Sequence, residues 1–516
     1  MILGIELGST RIKSVLTDRC GTVIASGSYE WENQLVNGIW SYSLEDVWSG
    51  LQASFASLKL NFEKRGEKLK RLDAIGVSAM MHGYLVFDAD GKLLTPFRTW
   101  RNTSTFKAAE ILSKELDFNM PMRWSATHFY QAVLDGEEHV NKVDLLTTLS
   151  GYVHWKLTGR KVLGFNDASG MFPMNDGEFV AKKLEKYDKL LKKQLNVDIN
   201  FKNILPEIVP AGEVAGVLTE EGARLLDLSG ELEAGAIFCA PEGDAGTGMV
   251  ATNSVRVGRG NVSAGTSAFA MVVVDKPISK PFPEIDMITT PDGKNVAMIH
   301  ANNCTTEINA WSDTFTQLLS LYGINTDRGE LLTKLFLHSR ESDENVGGLT
   351  VYNFLAGEHV WELFEGRPLL VRHPAGNLTL ANLMQAQIFS AVASLRRGMD
   401  ILSAEGISVT EICGHGGFFK IEDIGQKAMS AALRAPVTVM KNAGEGGAWG
   451  IALLALYCLE NIENELSLAD FLDEIFAKIE KSTVVASEYD TKKFDRFMLR
   501  YEAGIEVERT AVDTLT

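Results

Sequence analysis

Cysteine is scarce. The five residues, Cys20, Cys239, Cys304, Cys413 and Cys458, lie far apart without a C-x-x-C pair, so neither a zinc knuckle nor a dithiol centre is indicated. They read as reduced, mostly buried thiols of a cytoplasmic protein. Basic charge is short as well: 50 Lys and Arg stand against 67 Asp and Glu, a formal charge of -17, with no basic run. Such a field repels phosphate backbones, which argues against nucleic acid and anionic membrane as partners. The start, Met1-Ile-Leu-Gly-Ile-Glu6, lacks the basic, apolar and small-residue parts of a signal peptide. The most apolar late stretch, Ala448 to Leu459, is too short to span a bilayer. G-x-x-x-x-G-K-[ST], H-E-x-x-H and G-x-S-x-G are all absent. A loose dinucleotide match, Gly246-Thr-Gly248-Met-Val-Ala251, lacks a ribose-binding acid downstream.

What is present is globular: 516 residues, 45% hydrophobic and 23% charged, too long for one core, so two substantial domains are expected. Residues 2 to 7 and 12 to 16 predict two strands of a hairpin around Gly8-Ser9-Thr10, with a third strand near Val23 to Tyr29. Ser43 caps a helical pattern to Leu60, strands recur at Leu72 to Val77 and Tyr84 to Phe87, and helix-like segments follow at Thr105 to Glu115 and Leu145 to Leu157. The Lys-rich stretch Lys182 to Lys193 reads as a solvated helix face. Midway the pattern restarts: an apolar run, Pro241-Glu242-Gly243-Asp244, a small-residue helix, then strands flanking Gly265-Thr266-Ser267. That turn echoes Gly8-Ser9-Thr10, so the hairpin reads as a degenerate duplication. Long helical patterns at Leu380 to Leu402 and Gly425 to Leu433 enclose a strand-like Glu411-Ile-Cys413, and the residues from Ser467 onward read as appended surface helices.

Three glycine turns follow apolar strands: Gly8-Ser9-Thr10, Gly265-Thr266-Ser267 and Gly414-His415-Gly416-Gly417. Backbone N–H groups in such turns can cradle phosphate oxygens, although a tight hairpin also needs Gly with no ligand at all. Lys13 follows the first turn and could reach back to it, or simply face solvent. Glu6 is a carboxylate in an apolar strand, either paired or metal-linked, or else an edge-strand charge. Asp244 could take a proton from an attacking hydroxyl; its bland alternative is a helix N-cap. His82, after Met80-Met81, places a donor at a turn, where a lone histidine is more often structural.

In order and content these segments resemble the FGGY family of carbohydrate kinases, its xylulokinase-like branch most of all. Gly4-Ile-Glu-Leu-Gly8-Ser-Thr-Arg-Ile-Lys13 is similar to the first phosphate motif, Ile75 to Gly83 to the substrate segment, Gly243-Asp244 to the catalytic aspartate, Val262 to Ser267 to the second phosphate motif, Gly414 to Gly417 to the adenosine motif, and Gly444 to Gly450 to the later E-x-x-A-x-G. The resemblance runs from residue 1 to about 460. It implies an α/β protein with two ribonuclease-H-like domains of the actin and hexokinase type around a central cleft. Residues 1–242 would form the N-terminal domain, 243–460 the C-terminal domain and 461–516 a helical appendage. ATP and Mg²⁺ are the implied cofactors and a small sugar the partner, with a homodimer left open. Asp244 would be the base; Gly8, Ser9, Thr10, Lys13, Gly265, Thr266 and Ser267 would hold phosphates; Gly416, Gly417 and Lys420 would lie by the nucleotide. Met81, His82, Gly83 and Asn102 would contact sugar together with Asp244, and Glu6 with Asp244 would organise the metal.

Some positions depart from the family pattern. Glu6 stands where Asp is usual, Glu242 and Ala245 flank Asp244 where xylulokinases tend to have Gly and Asn, and Trp100-Arg101-Asn102 replaces W-N-D. Phe418-Phe419-Lys420 follows the adenosine glycines and predicts a more aromatic adenine pocket. The leading expectation is a ketopentose kinase acting on a sugar such as xylulose. Ribulose, another ketose or a polyol stays open as acceptor, and a non-kinase ATPase and a weakened sugar-binding sensor are the competing classes.

Overall fold

A computed structural model describes residues 1–195, 199–421, 423–440, 446–462 and 465–515. The chain divides into two compact units, Met1–Arg256 with Asp286–Val296 and Asn442–Ile479, and Val257–Ile285 with Ala297–Lys441 and Glu480–Thr516. The first unit is built on strands β1 (Ile2–Leu7), β2 (Arg11–Thr17), β3 (Val23–Glu30), β4 (Ala74–Ala79) and β5 (Ile237–Phe238). They lie in the order β5-β4-β1-β2-β3, with β1 antiparallel to β2 and parallel to β4. β1 is almost continuously apolar because it is central and buried on both faces.

The second unit repeats the plan with β6 (Arg259–Ala264), β7 (Ala268–Val273), β8 (Asn295–Ala301), β9 (Glu411–His415) and β10 (Val437–Met440), in the order β8-β7-β6-β9-β10. Again the first strand pairs antiparallel with its hairpin partner and parallel with the fourth. The duplication read from two similar turns is therefore a duplication of sheet topology.

Local chemistry accounts for the helices that matter. Ser43 caps helix Leu44–Glu63 by accepting from the Asp46 N–H at 3.0 Å. Helix Gly446–Asn461 lies against β1 and β4 at very short range, since a Cβ on Gly4 would come within 2.0 Å of the Ala448 carbonyl. A division after residue 242 with a 461–516 appendage does not match these units. Helices Asp244–Val250, Gly446–Asn461 and Leu468–Phe476 stay with the first, while Glu488–Ala503 and Ile505–Thr514 join the second. The closing segment also supplies a strand, β11 (Lys481–Val484), antiparallel to β10. Likewise Leu145 to Leu157 is no single helix: Leu145–Thr147 is a strand, and Thr148 caps a helix over Leu149–Thr158. All five cysteines are free and only Cys20 is exposed. Among the described residues no helix is long and apolar enough to cross a membrane.

Candidate active site

In the first unit β1 delivers Glu6 to the middle of the sheet, opposite Lys13 on β2 and Ser78 on β4. The edge-strand reading of Glu6 is excluded. Its Oε2 accepts from the Ala448 N–H at 3.2 Å. Burial first, then the neighbouring Asp244 carboxylate, push its carboxyl up to about 7, and Lys13 works against them. The extra methylene of Glu has a place to go, because residue 447 has no side chain: a Cβ there would lie 2.2 Å from Glu6 Oε1.

Asp244 opens helix Asp244–Val250 directly after the short strand Glu242–Gly243, which pairs parallel with the end of β4. It is not the N-cap, a position Gly243 holds without a side-chain bond. Its Oδ1 accepts from the Met81 N–H at 3.2 Å. Burial raises it to about 6 against the pull of three backbone N–H groups. A carboxylate with so high a proton affinity, fixed by a backbone donor, is suited to take a hydroxyl proton near neutral pH. Ser78 Oγ and Thr247 Oγ1, 3.0 Å apart, tie the same helix to β4.

Met81 and His82 extend from β4 toward Asp244. His82 has φ +69° and Gly83 φ +95°, a bend whose second position a side chain would strain, with a Cβ there only 2.8 Å from the Arg98 carbonyl. His82 Nδ1 lies 3.0 Å from the Gly170 carbonyl, and burial with Arg123 nearby drops its pKa to about 3. The ring is therefore neutral, Nδ1–H is the donor and Nε2 is the acceptor.

The first glycine turn is gripped from its carbonyl side. Trp31 Nε1 donates to the Gly8 carbonyl at 2.7 Å, the Tyr42 hydroxyl to the Ser9 carbonyl and the Trp31 N–H to the Thr10 carbonyl at 3.2 Å, the two rings stacked 4.1 Å apart. Carbonyls anchored in this way suit a turn that presents N–H groups to an anion. Asn102 has a different employment: its Oδ1 accepts from Trp40 N, and its Nδ2 donates to the Trp40 and Thr99 carbonyls. Those bonds make it a brace for the 40 and 99 turns and do not leave its amide turned to a sugar.

Sequence reasoning missed the support behind Asp244. Glu242 and Asp167 are both buried, and the Asp167 N–H donates to Glu242 Oε2 at 3.0 Å. Thr148 and Ser150 hydroxyls donate to Asp167 Oδ2. Burial lifts Asp167 to about 7 and Glu242 well above the carboxylate range. Asn166 beside them accepts the Gly246 N–H at 2.9 Å and donates to the Thr289 carbonyl, fixing the start of the Asp244 helix. The only sequence signal was Glu242 at an unexpected place next to Asp244.

In the second unit Gly265-Thr266-Ser267 is the β6–β7 turn, closed by Gly265 N–H to the Ser267 carbonyl at 2.9 Å. Its carbonyls are again anchored: Gly265 accepts from Thr305 N and Oγ1, Thr266 from Cys304 N. The anchor behind that loop is Glu358, fully buried, whose Oε2 accepts from Asn303 N and Nδ2 while Asn303 Oδ1 takes the Leu355 and Ala356 N–H groups. Burial raises Glu358 to about 8. Glu358→Ala leaves the Asn303 N–H without its acceptor, at about 1–3 kcal/mol for a buried group, and leaves Asn303 Nδ2 with the Ala356 carbonyl alone. We expect a lowered Tm and a raised KM for nucleotide, with both kept near the parent's by Glu358→Gln. Thermal melts and initial rates of the two variants check this.

Gly416 has φ +105°, and a Cβ there would meet the Ala264 carbonyl at 2.4 Å, so glycine is required twice over. Gly417 faces open space, and its carbonyl accepts the Lys420 N–H at 3.2 Å. Phe418 and Phe419 are 1% and 5% exposed and pack edge-to-face. They are core residues, which corrects the expectation of an aromatic adenine wall. Gly444 and Glu445 of the last motif lie outside the described residues. Among the described residues no group of three or more His, Cys, Asp or Glu is placed to hold a metal ion.

Comparison with known proteins decides the family. The model for the N-terminal domain of the FGGY family of carbohydrate kinases matches residues 1–233, and that for its C-terminal domain residues 260–459. The chain belongs to the FGGY family of carbohydrate kinases. It is thus an enzyme, a phosphotransferase with an alcohol group as acceptor. Relatives include a xylulose kinase of Haemophilus influenzae, 23% identical over 506 residues and 94% of each chain, and a glycerol kinase of Thermococcus gammatolerans, 27% identical over 266 residues, covering 48% of this chain and 51% of that one. Two Lactobacillus acidophilus structures share the fold at 17% identity, each covering 99% of this chain and 98% of the other: a ligand-bound xylulose kinase with TM-score 0.79 and a gluconate kinase with TM-score 0.80. The two repeated sheets are those of the actin and hexokinase class.

Proposed function

We propose that this FGGY kinase transfers the γ-phosphate of MgATP to a hydroxyl of a ketopentose, xylulose before others, with Asp244 as the base. The observation that carries this reading is the half-buried Asp244 carboxylate, held by the Met81 N–H and raised toward neutrality, beside the neutral His82. Asp244 accepts the hydroxyl proton as the oxygen attacks phosphorus, and Met81 with His82 orients the sugar. The turns Gly8 to Thr10 and Gly265 to Ser267 hold phosphate oxygens, with Lys13 on the first and Gly416, Gly417 and Lys420 beside the nucleotide.

The donor set fits a magnesium ion, which takes one or two carboxylates and fills its remaining positions with phosphate and water. Glu6 and Asp244 are near enough to raise Glu6 electrostatically, and a divalent cation would relieve that repulsion. Bound there, Mg²⁺ would neutralise phosphate charge. Because Gly447 accommodates the longer Glu6, the departure from Asp gives no reason to favour a disabled sensor. Four buried free cysteines fit a reducing cytoplasm.

Rates of ADP release across D- and L-ketopentoses, ketohexoses, gluconate, glycerol and other polyols test the substrate. We expect the highest kcat/KM for xylulose, and a clear preference for a polyol or gluconate would overturn that choice. The pH dependence follows from the same carboxylate. Turnover needs Asp244 ionised, so the sugar-dependent rate should fall as pH drops through about 6, and a rate flat down to pH ~4.5 would remove Asp244 as base.

A further inference from the structure

The second unit contains a cavity of about 290 Å³ between helices Leu380–Ala404, Ile424–Leu433 and Glu488–Ala503 and the turn Ser339–Glu341. None of the glycine turns that serve the phosphoryl transfer lines it. Its lining is apolar at Phe389, Ile424, Ala428 and Ala431 and charged at three cations, Arg340, Lys427 and Lys493, and two carboxylates, Asp423 and Asp490.

Lys493 is the informative one. It is 7% exposed, and its Nζ donates to the Ser342 carbonyl at 3.1 Å and the Ser342 hydroxyl at 2.7 Å. Among the described residues no carboxylate lies within ion-pair distance of it; Asp490, Asp343 and Glu344 act on it only from farther away. An ammonium has three donors, and here two meet neutral oxygens. A buried cation without a counter-ion is unfavourable unless something else supplies the negative charge. The other two cations are loosely engaged: Arg340 is 3.8 Å from Asp423 and Lys427 is 3.9 Å from Asp490, both beyond hydrogen-bond reach. Their donors can turn to a ligand without breaking a good bond. The volume lies at the small end for ligand pockets, roughly 300–1,000 Å³.

We propose that this cavity binds a small organic phosphate, its phosphate group against Lys493, Arg340 and Lys427 and its apolar body against Phe389 and Ile424. The three cations outnumber the two carboxylates of the lining, and a phosphomonoester, which carries about -1.5 to -2 at neutral pH, offers Lys493 the counter-charge that no carboxylate supplies at ion-pair distance among the described residues. Site and ligand class stand independently of which sugar the enzyme phosphorylates.

The test is calorimetric titration of the full chain with phenyl phosphate, in the presence of saturating MgADP so that the nucleotide's own phosphate loops are filled. Saturable binding is expected, weakened at least tenfold by Lys493→Met and severalfold by Lys427→Ala, a half-exposed position that leaves the fold intact. MgADP affinity should be the same in all three proteins. Benzoate, with the same ring and one negative charge, should bind more weakly than phenyl phosphate. Absence of saturable binding to the parent, or binding unchanged in Lys427→Ala and Lys493→Met alike, would overturn the site. Benzoate binding as tightly as phenyl phosphate would overturn the ligand class.

Discussion

Asp244→Asn should cut sugar-dependent ADP formation by about 10²–10⁴-fold while leaving nucleotide affinity near the parent's, and it should melt at a higher temperature. Turnover fails because an amide cannot accept the hydroxyl proton. Stability rises for the reason that makes the carboxylate useful. Burial lifts its pKa from 3.8 to about 6, so the folded state disfavours the ionised form, by about 3 kcal/mol at neutral pH. That penalty is absent when the group is protonated in both states, and it grows as pH rises from about 4 to 6. Asn keeps the acceptor for the Met81 N–H and carries no charge. The gain in Tm should therefore be largest near pH 7 to 8 and vanish toward pH 3.5. Near-parental turnover, or a Tm lowered at pH 7.5, would contradict this account of Asp244.

The second large effect concerns Glu6 and its glycine. Gly447→Ala places a methyl 2.2 Å from Glu6 Oε1 and 2.9 Å from Thr247 Oγ1, so the carboxylate must shift. On the role proposed for Glu6 at the metal, its displacement should reduce kcat by roughly ten- to a hundredfold, in the range a 1 Å misplacement produces. The Glu6→Asp change withdraws the carboxylate by one methylene and should restore much of the loss when combined with Gly447→Ala. A double variant no better than Gly447→Ala alone would show that the two positions are not coupled in this way. Steady-state rates of the two single variants and the double variant at fixed Mg²⁺ give the answer.

The parts of the fold legible in the sequence are those that punctuation marks. Apolar strands ending at Gly8, Gly265 and Gly416 declared the two hairpins and the turn after β9, and Ser43 declared its helix. What escaped depends on partners remote in the chain. The Glu6 acceptor meets an N–H 442 residues away, and Glu242 meets Asp167 75 residues away, so neither neighbourhood carries a local signal. Leu145 to Leu157 has an apolar density that suits strand and helix alike, and Thr148 decides the break by capping the helix. Lys481–Val484 is too short and too polar to be read as a strand before β10 offers it an edge. Asn102 and the Phe418-Phe419 pair were placed by motif position. Their side chains are committed to backbone and core, something only packing reveals.

The central claim is direct transfer of a phosphoryl group to sugar, and the most direct measurement follows the fate of that group in H₂¹⁸O. The parent enzyme, given MgATP and xylulose, should yield sugar phosphate whose phosphoryl group is free of ¹⁸O, in a one-to-one ratio with ADP, and Asp244→Asn should yield almost none. ADP accompanied by ¹⁸O-labelled inorganic phosphate, with no sugar phosphate from any acceptor, would identify an ATPase and contradict the account.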